Sequence, residues 1–141
     1  MFIVEAIFWV VLIICALFII LGIKSQKGKA IGVIDGRLAD AGTAPNCVVS
    51  EDDTQPERAI APLSASLKQA AAAIVKTGGT ITAQTDSYVS ATYMSKIFKF
   101  VDDVELRAAG PGVVHIRSAS RVGYSDRGAN RSRAERIRAA L

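Results

Sequence analysis

The hydrophobic pattern of the chain changes character after residue 23. Residues 6–23, AIFWVVLIICALFIILGI, are apolar and contain no charged side chain. A helix of this length reaches about 27 Å at about 1.5 Å per residue, which is enough for the hydrocarbon core of a bilayer. Trp9 near the start of the run and three lysines after its end are typical of membrane interfaces. The pattern therefore predicts a transmembrane anchor at residues 1–23.

A secretory signal peptide is the alternative explanation of this run. Signal peptides carry positive residues before the apolar segment and small residues at a cleavage site. Here the only earlier charge is Glu5, and no A-x-A pattern follows. The segment LIIC, which ends at Cys15, differs from a lipoprotein box because Ile14 is large. An uncleaved, single-pass span in the cell inner membrane is therefore favoured. The lysines and arginines all follow the span, which favours a cytoplasmic domain under the positive-inside rule.

The chain turns polar after the apolar run. Residues 24–44 are small, polar and glycine-bearing, which is typical of a linker. The soluble domain is predicted to occupy residues 45–141, and its opening segment NCVVS predicts a short edge strand between Pro45 and an acidic turn. The two cysteines, Cys15 and Cys47, lie in different segments and no Cys/His cluster accompanies them. We therefore expect no disulfide, no metal site and no cofactor.

Apolar residues recur at helical spacing after Pro62. Pro62 suits the first turn of a helix, and Gly78-Gly79 supply a left-handed stop. The spacing places one apolar stripe along this segment and predicts an amphipathic helix. The members of the stripe are Leu63, Leu67, Ala70, Ala71, Ile74 and Val75.

From Thr80 the apolar period changes to two. Four alternating segments joined by turns predict an antiparallel meander, namely GTITAQT, SYVSATYMS, FVDDVELRA and GVVHIRSAS. The loop VGYSDRGAN ends the sheet, and Asn130 is expected to cap a final helix, RSRAERIRAAL. The predicted fold class is α+β: an N-terminal transmembrane helix followed by a small domain with a four-stranded antiparallel sheet and two helices.

Two arginines of the last predicted strand are the sharpest candidates for a binding site. Arg117 and Arg121 lie four residues apart and share one face of a regular strand, with the small Ala119 between them. Two guanidinium groups on one face repel each other unless a carboxylate or an external anion lies between them. An acid of the preceding strand or a bound anion is therefore expected there. The start of the last helix, at Asn130 and Arg131, would add backbone donors to an anion site.

Two adjacent acids of the preceding strand are the candidates for acid chemistry. Asp102 and Asp103 are neighbours on a strand, so their carboxylates are expected to point to opposite faces. They are therefore poorly placed to act together on one substrate. The favoured arrangement is that one acid pairs with Arg117 or Arg121 across the sheet while the other is solvated.

The turn after the last strand and the final helix give weaker candidates. Asp126 is expected to bond its own backbone in the turn, and Tyr124 is a candidate partner contact. The final helix carries four arginines but no aromatic side chain, so nucleic acid is not a favoured partner. Its basic face suits either solvent or anionic lipid headgroups. A serine hydrolase is disfavoured because His115 and Ser118 are expected on opposite faces and no G-x-S-x-G motif is present.

Several motifs of the soluble domain resemble one known family. They are PNCVVS at the domain start, PL at the predicted start of a helix, FVDDVEL, and the closing run VHIRSASRVGYSDRGANRSRAERIR. In order and spacing they resemble the bacterial and plastid domain of unknown function 1499 family over residues 45–141. Val49 and Arg127 depart from the serine and the apolar residue that are common in the family. The resemblance implies no activity, and it implies a membrane anchor before the domain. Because some relatives are exported or plastid-targeted, it also allows a periplasmic domain.

These observations favour a membrane-anchored, non-catalytic binding or accessory module, such as a subunit or assembly partner of a membrane complex. It would hold a protein partner or an anion through Arg117, Arg121 and the loop after them. The alternative is a small hydrolase that uses Asp102 or Asp103 with the same arginines. The hydrolase requires one pocket that joins such an acid, Arg117 or Arg121, and Tyr124. The sequence assigns neither a catalytic residue nor a small-molecule substrate.

Overall fold

The computed structural model describes residues 2–141 and contains three helices and eight strands in that range. The helices are α1 (Phe2–Gln26), α2 (Leu67–Lys76) and α3 (Ala129–Ala139). The strands are β1 (Val33–Ile34), β2 (Arg37–Leu38), β3 (Cys47–Val49), β4 (Leu63–Ser64), β5 (Thr80–Gln84), β6 (Tyr88–Met94), β7 (Val101–Gly110) and β8 (Val113–Ser120). The α+β class predicted from the sequence is therefore confirmed.

The apolar run forms the long helix α1, which leaves nearly all of its side chains exposed. Within it only Gly22 and Ser25, near its C-terminal end, are buried. Among residues 2–141 it is the one helix long and apolar enough to cross a membrane, a property that anchors and signal sequences share. An exposed apolar surface of this size is typical of a segment that contacts a membrane or another protein.

The main sheet is antiparallel and has six strands rather than the predicted four. The predicted meander of β5 to β8 is present, in the order β5-β6-β7-β8. Two further strands pair with the free side of β8: β3 lies beside residues 117–119 and β4 beside residues 113–114. The strand β4 has only two residues, which is too short for a two-residue period to be recognised. The three-residue strand β3 was expected, but its place beside β8 was not. The edge strand expected at NCVVS is confirmed as β3.

The helix α2 starts later than its apolar stripe predicted. Leu63 belongs to β4, and the helix begins at Leu67 after the N-cap residue Ser66. Ser66 and Gln69 form a capping box, in which the Ser66 hydroxyl accepts from the Gln69 backbone and the Gln69 side chain accepts from the Ser66 backbone. A capping box satisfies two backbone donors and fixes the helix start there. Pro62 therefore precedes a strand and not the first helical turn.

One face of the sheet and the two helices α2 and α3 enclose the apolar core. Its fully buried members come from both helices and from the central strands, and they include Ile74, Val89, Val104, Leu106, Ile116 and Ile137. These residues occupy alternate positions on β6, β7 and β8, as the two-residue period requires of one sheet face. Because neighbouring side chains of a strand point to opposite faces, the residues between these core positions lie on the other face of the sheet.

The opposite face of the sheet is polar and is covered by the chain between α1 and β3. The segment 24–44, whose composition is typical of a linker, contains the β1–β2 hairpin. The Gly32 amide donates to the Glu105 carboxylate on β7, and the Leu38 amide donates to the Glu51 carboxylate. Because these amides bond buried acids, the segment lies against the sheet.

Candidate functional site

The polar face of the sheet is organised around the buried carboxylate of Glu105. This side chain is fully buried on β7. It accepts hydrogen bonds from the Gly32 amide at 2.6 Å, the Tyr88 hydroxyl at 2.7 Å and the Arg117 guanidinium at 2.9 Å. Burial, and then the bond to Glu105, raise the pKa of Tyr88, so its hydroxyl remains a donor at neutral pH. Arg117 therefore pairs with an acid of the fold.

Arg121 is satisfied by the neighbouring acid on the same face. Its guanidinium donates two hydrogen bonds of 2.7 Å to the two oxygens of Asp103 and one of 3.0 Å to the Ser25 carbonyl on α1. The bonds to Asp103 raise the pKa of Arg121. Arg117 and Arg121 thus lie on the same side of the sheet. Arg117 forms an ion pair with Glu105, and Arg121 forms one with Asp103.

Asp102 points to the other face and also has an arginine partner. The Arg133 guanidinium on α3 donates to it at 2.6 Å and lies 4.9 Å from the centre of the Tyr93 ring. Asp102 and Asp103 therefore lie on opposite sides of β7, as expected of adjacent strand residues. The expected solvated acid is not found, because both carboxylates are ion-paired and largely buried.

A third acid–arginine cluster, on the same face of the sheet as Glu105, was not foreseen from the sequence. Glu51 is buried and accepts two hydrogen bonds from Arg107, at 2.8 and 2.7 Å. Although burial acts to raise it, the pKa of Glu51 is lowered by Arg107, by the Leu38 amide and by His115. The sequence places Glu51 in an acidic turn, and its pairing with Arg107 on β7 distinguishes it from its exposed neighbour Asp52.

His115 does not form a catalytic relay with this cluster. Its Nδ1 atom lies 3.1 Å from the Ser50 hydroxyl, 2.9 Å from the Ser50 carbonyl and 3.7 Å from the nearer Glu51 carboxylate oxygen. In a serine–histidine–acid triad the serine and the acid use different ring nitrogens. Here both face the same nitrogen, so the geometry supports a structural role for His115.

The start of α3 is capped by Asp126 rather than by Asn130. The Asp126 carboxylate accepts from the Gly128 amide at 2.9 Å and from the Asn130 amide at 2.8 Å. Gly128 is the N-cap residue and has a φ of 81°, a conformation that favours glycine. The predicted cap at Asn130 is therefore wrong. The Asp126 carboxylate also occupies the helix N-terminus, where an external anion was considered.

Asn130 is fully buried and joins the two ends of the domain. Its side-chain nitrogen donates to the Asn46 carbonyl at 2.9 Å and to the Ser120 hydroxyl at 2.9 Å, and its oxygen accepts from the Ser118 hydroxyl at 2.7 Å. Asn46 belongs to the PNCVVS motif, and the other residues belong to the C-terminal motif. The two motifs are therefore in direct contact.

These motifs also line a surface cavity of about 330 Å³, which we call the motif cleft. Its lining includes Pro45, Cys47, Arg58, Tyr124, Asp126 and Arg131. Tyr124 is 75% exposed, whereas Arg131 is held in place by hydrogen bonds to the carbonyls of Glu57, at 2.8 Å, and Ala59, at 3.1 Å. Burial raises the pKa of the Cys47 thiol to about 11, which leaves it protonated and a poor nucleophile.

The candidate residues separate into two places. Asp103, Arg117 and Arg121 line a different cavity of about 250 Å³, beside Gly28 and Lys29. Tyr124 and Arg131 belong to the motif cleft, and Asn130 lies beneath it. The motif cleft, which contains Tyr124, is lined by none of Asp102, Asp103, Arg117 and Arg121. The pocket that the hydrolase requires is therefore not formed. Among residues 2–141 no group of three or more His, Cys, Asp or Glu side chains is placed to hold a metal ion.

The family assignment rests on residues 37–141. This segment matches the family model described as protein of unknown function, DUF1499. The chain belongs to this family. The resemblance read from the PNCVVS, FVDDVEL and C-terminal motifs is thereby confirmed, and the match also includes β2, which lies before the predicted domain start. No curated protein and no solved structure matches the chain significantly.

Proposed function

We propose that this member of the DUF1499 family is a membrane-anchored, non-catalytic accessory module that binds a protein partner through the motif cleft. The single observation that carries the proposal is the exposed Tyr124 ring at a cleft built by the two family motifs. An aromatic ring on a rigid polar frame is a common anchor of protein interfaces.

Support for a non-catalytic role comes from the acids. Asp102, Asp103, Glu51 and Glu105 each bond an arginine at 2.6 to 2.9 Å. A general acid or base needs a pKa near the working pH and access to a substrate proton. Carboxylates that are bonded to arginines and covered by the chain lack that access to a substrate.

Support for anchoring comes from α1. Its apolar side chains are exposed along its length, and lysines follow its C-terminal end. A bilayer removes this apolar surface from water and leaves the lysines at the headgroups. We propose a single-pass protein of the cell inner membrane. The lysines favour a cytoplasmic domain, and the exported relatives of the family are the argument for a periplasmic one.

Support for a protein partner comes from the surroundings of Tyr124. Arg127 is exposed in the same turn with a φ of 52°, and Arg58 and Arg131 line the same cleft. Asp126 holds this turn through its bonds to the Gly128 and Asn130 amides. Tyrosine and arginine are enriched among the residues that dominate binding energy, and a preformed turn lowers the ordering cost.

The proposal is tested by capturing the tagged full-length protein from detergent-solubilised membranes and quantifying co-purifying proteins by mass spectrometry. Tyr124→Ala should reduce recovery of a specific partner at least about tenfold, because loss of an aromatic anchor costs about 2 kcal/mol or more. Gln84→Ala, on the exposed edge strand β5, is the control and should change nothing. Equal recovery with Tyr124→Ala and wild type would refute binding through the cleft.

A further inference from the structure

The loop between β6 and β7, residues 95–100, presents apolar side chains beside α1. Ile97 is 81% exposed, and Met94 at the end of β6 is 56% exposed. The Phe98 ring stacks on Phe18 of α1 with ring centres 5.0 Å apart, and the Phe100 ring lies 6.0 Å from both. The exposed apolar surface of α1 thus continues onto a loop of the soluble domain.

The loop is fixed to the last turns of α1 by close packing and hydrogen bonds. A Cβ atom at Gly22 would overlap the Phe98 carbonyl oxygen, so only glycine allows this approach. The Ser25 hydroxyl donates to the Gly22 carbonyl at 2.6 Å and accepts from the Val101 amide at 3.0 Å. The Gln26 side chain donates to the Lys99 carbonyl at 3.3 Å. The depth of the loop therefore follows the position of the helix.

The contact with Phe18 sets that depth. Phe18 lies five residues before Ile23, the end of the apolar run, which is about 8 Å along a helix axis. When α1 crosses a bilayer, the Phe98 ring therefore lies below the headgroup level. Lys96 and Lys99 are exposed on either side of Ile97 and Phe98, and a lysine side chain is long enough to extend from apolar surroundings to the headgroups.

We propose that residues 95–100 form a second membrane contact, in which Ile97 and Phe98 enter the acyl region and Lys96 and Lys99 meet anionic headgroups. This inference rests on the proposed anchoring by α1. Continuity with the apolar surface of α1, and the flanking lysines, favour a lipid bilayer as the occupant over a second copy of the chain. Together, helix and loop would hold the domain at a fixed orientation on the membrane.

The test is tryptophan fluorescence of the full-length protein in vesicles of phosphatidylcholine and phosphatidylglycerol, with and without acyl-brominated phosphatidylcholine. Wild type contains a single tryptophan, Trp9, and reports on α1. Ile97→Trp in a Trp9→Phe background reports on the loop. Val113→Trp in the same background is the matched control, because Val113 is an exposed aliphatic residue after the opposite end of β7.

The tryptophan at position 97 should emit at shorter wavelength than that at position 113, and brominated lipid should quench it as well as Trp9. Quenching of Trp9 with unquenched, red-shifted emission from position 97 would overturn the loop contact and leave the anchor standing. A blue-shifted but unquenched signal from position 97 would place the loop in a protein–protein contact and also overturn it. Unquenched Trp9 would refute the anchor itself, and with it the inference.

Discussion

At the scale of single residues, the main feature of the domain is the pairing of its buried acids with arginines. Each pair joins different strands, or a strand to a helix or loop, and all lie between the sheet and the segments that cover it. The pairs are Glu51–Arg107, Asp103–Arg121, Glu105–Arg117 and Asp102–Arg133. Removing one partner of a buried pair leaves an uncompensated charge, which costs more than the pair contributes while intact.

Glu105→Gln should destabilise the protein strongly. The substitution preserves size but leaves the Arg117 charge without its carboxylate, and breaking a buried pair costs roughly 3–5 kcal/mol. Urea unfolding of the full-length protein in detergent micelles measures the loss. Glu135→Gln is the control: its side chain is 54% exposed, its partner Arg138 lies at 3.1 Å, and its loss should cost about 0–1 kcal/mol. Equal unfolding midpoints for the two variants would contradict the argument.

The sequence indicated that an acid of β7 pairs with Arg117 or Arg121, but not which acid pairs with which arginine. Alternation predicted that Arg117 and Arg121 lie on the same side of the sheet, because side chains of a strand repeat every two residues. Both line one cavity, although Arg121 follows the last residue of β8. The choice between an internal carboxylate and an external anion depends on register. In the observed register Glu105 lies opposite Arg117. Asp103 lies opposite Ala119, which brings it within hydrogen-bonding distance of Arg121. A shift of one residue would move every acid to the other face, and the local sequence does not fix it.

At the scale of elements, the start of α3 depends on one carboxylate in the preceding turn. Asp126 bonds the Gly128 and Asn130 amides and also accepts from the Asn130 side chain at 2.7 Å. The turn thus ends the sheet, shapes the motif cleft and starts the helix. Its sequence pattern predicted turn chemistry at Asp126 but not the helix cap, since asparagine and aspartate are equally common N-cap residues.

Asp126→Ala should destabilise α3 and disturb the cleft. Loss of a side chain that caps a helix start costs about 0.5–2 kcal/mol, and hydrogen exchange at the Gly128 and Asn130 amides should become faster. Thermal melting and hydrogen–deuterium exchange measure these effects. Ser125→Ala is the control, because the Ser125 hydroxyl accepts only one long bond of 3.3 Å, from the Arg127 amide. Unchanged protection of both amides would show that Asp126 does not cap the helix.

At the scale of the whole molecule, the soluble domain has two different layers around one sheet. The apolar layer beneath α2 and α3 was predictable, because helical and two-residue periods mark its side chains. The polar layer beneath residues 25–44 was not, because this segment has the composition of a linker and bonds the buried acids through the backbone amides of Gly32 and Leu38. The strand β4, and the pairing of the predicted strand β3 with β8, were missed for a similar reason, since partners far away in sequence define them.

The polar layer makes stability depend on pH on the acid side. The folded pKa of Glu51 lies below its ordinary value of 4.5. Its stabilising contribution is therefore complete above that value and is lost as the pH falls through the folded pKa. The melting temperature of the full-length protein should fall from about pH 6 to about pH 3, and Glu51→Gln should show a smaller fall. Identical slopes for the two proteins would exclude Glu51 as a source of the dependence.

The contacts between Ser25, Gly32 and the sheet have a consequence for how the chain folds during synthesis. The bonded residues are 73 apart for Gly32 and Glu105, 76 for Ser25 and Val101, and 96 for Ser25 and Arg121. At a synthesis rate of about 5–20 residues per second, Arg121 is synthesised roughly 5–20 seconds after Ser25, to which it bonds. Until β8 emerges from the ribosome, β3 and β4 also lack the strand they pair with. The C-terminal motif therefore completes the fold, and a nascent chain halted before it exposes unpaired strand edges.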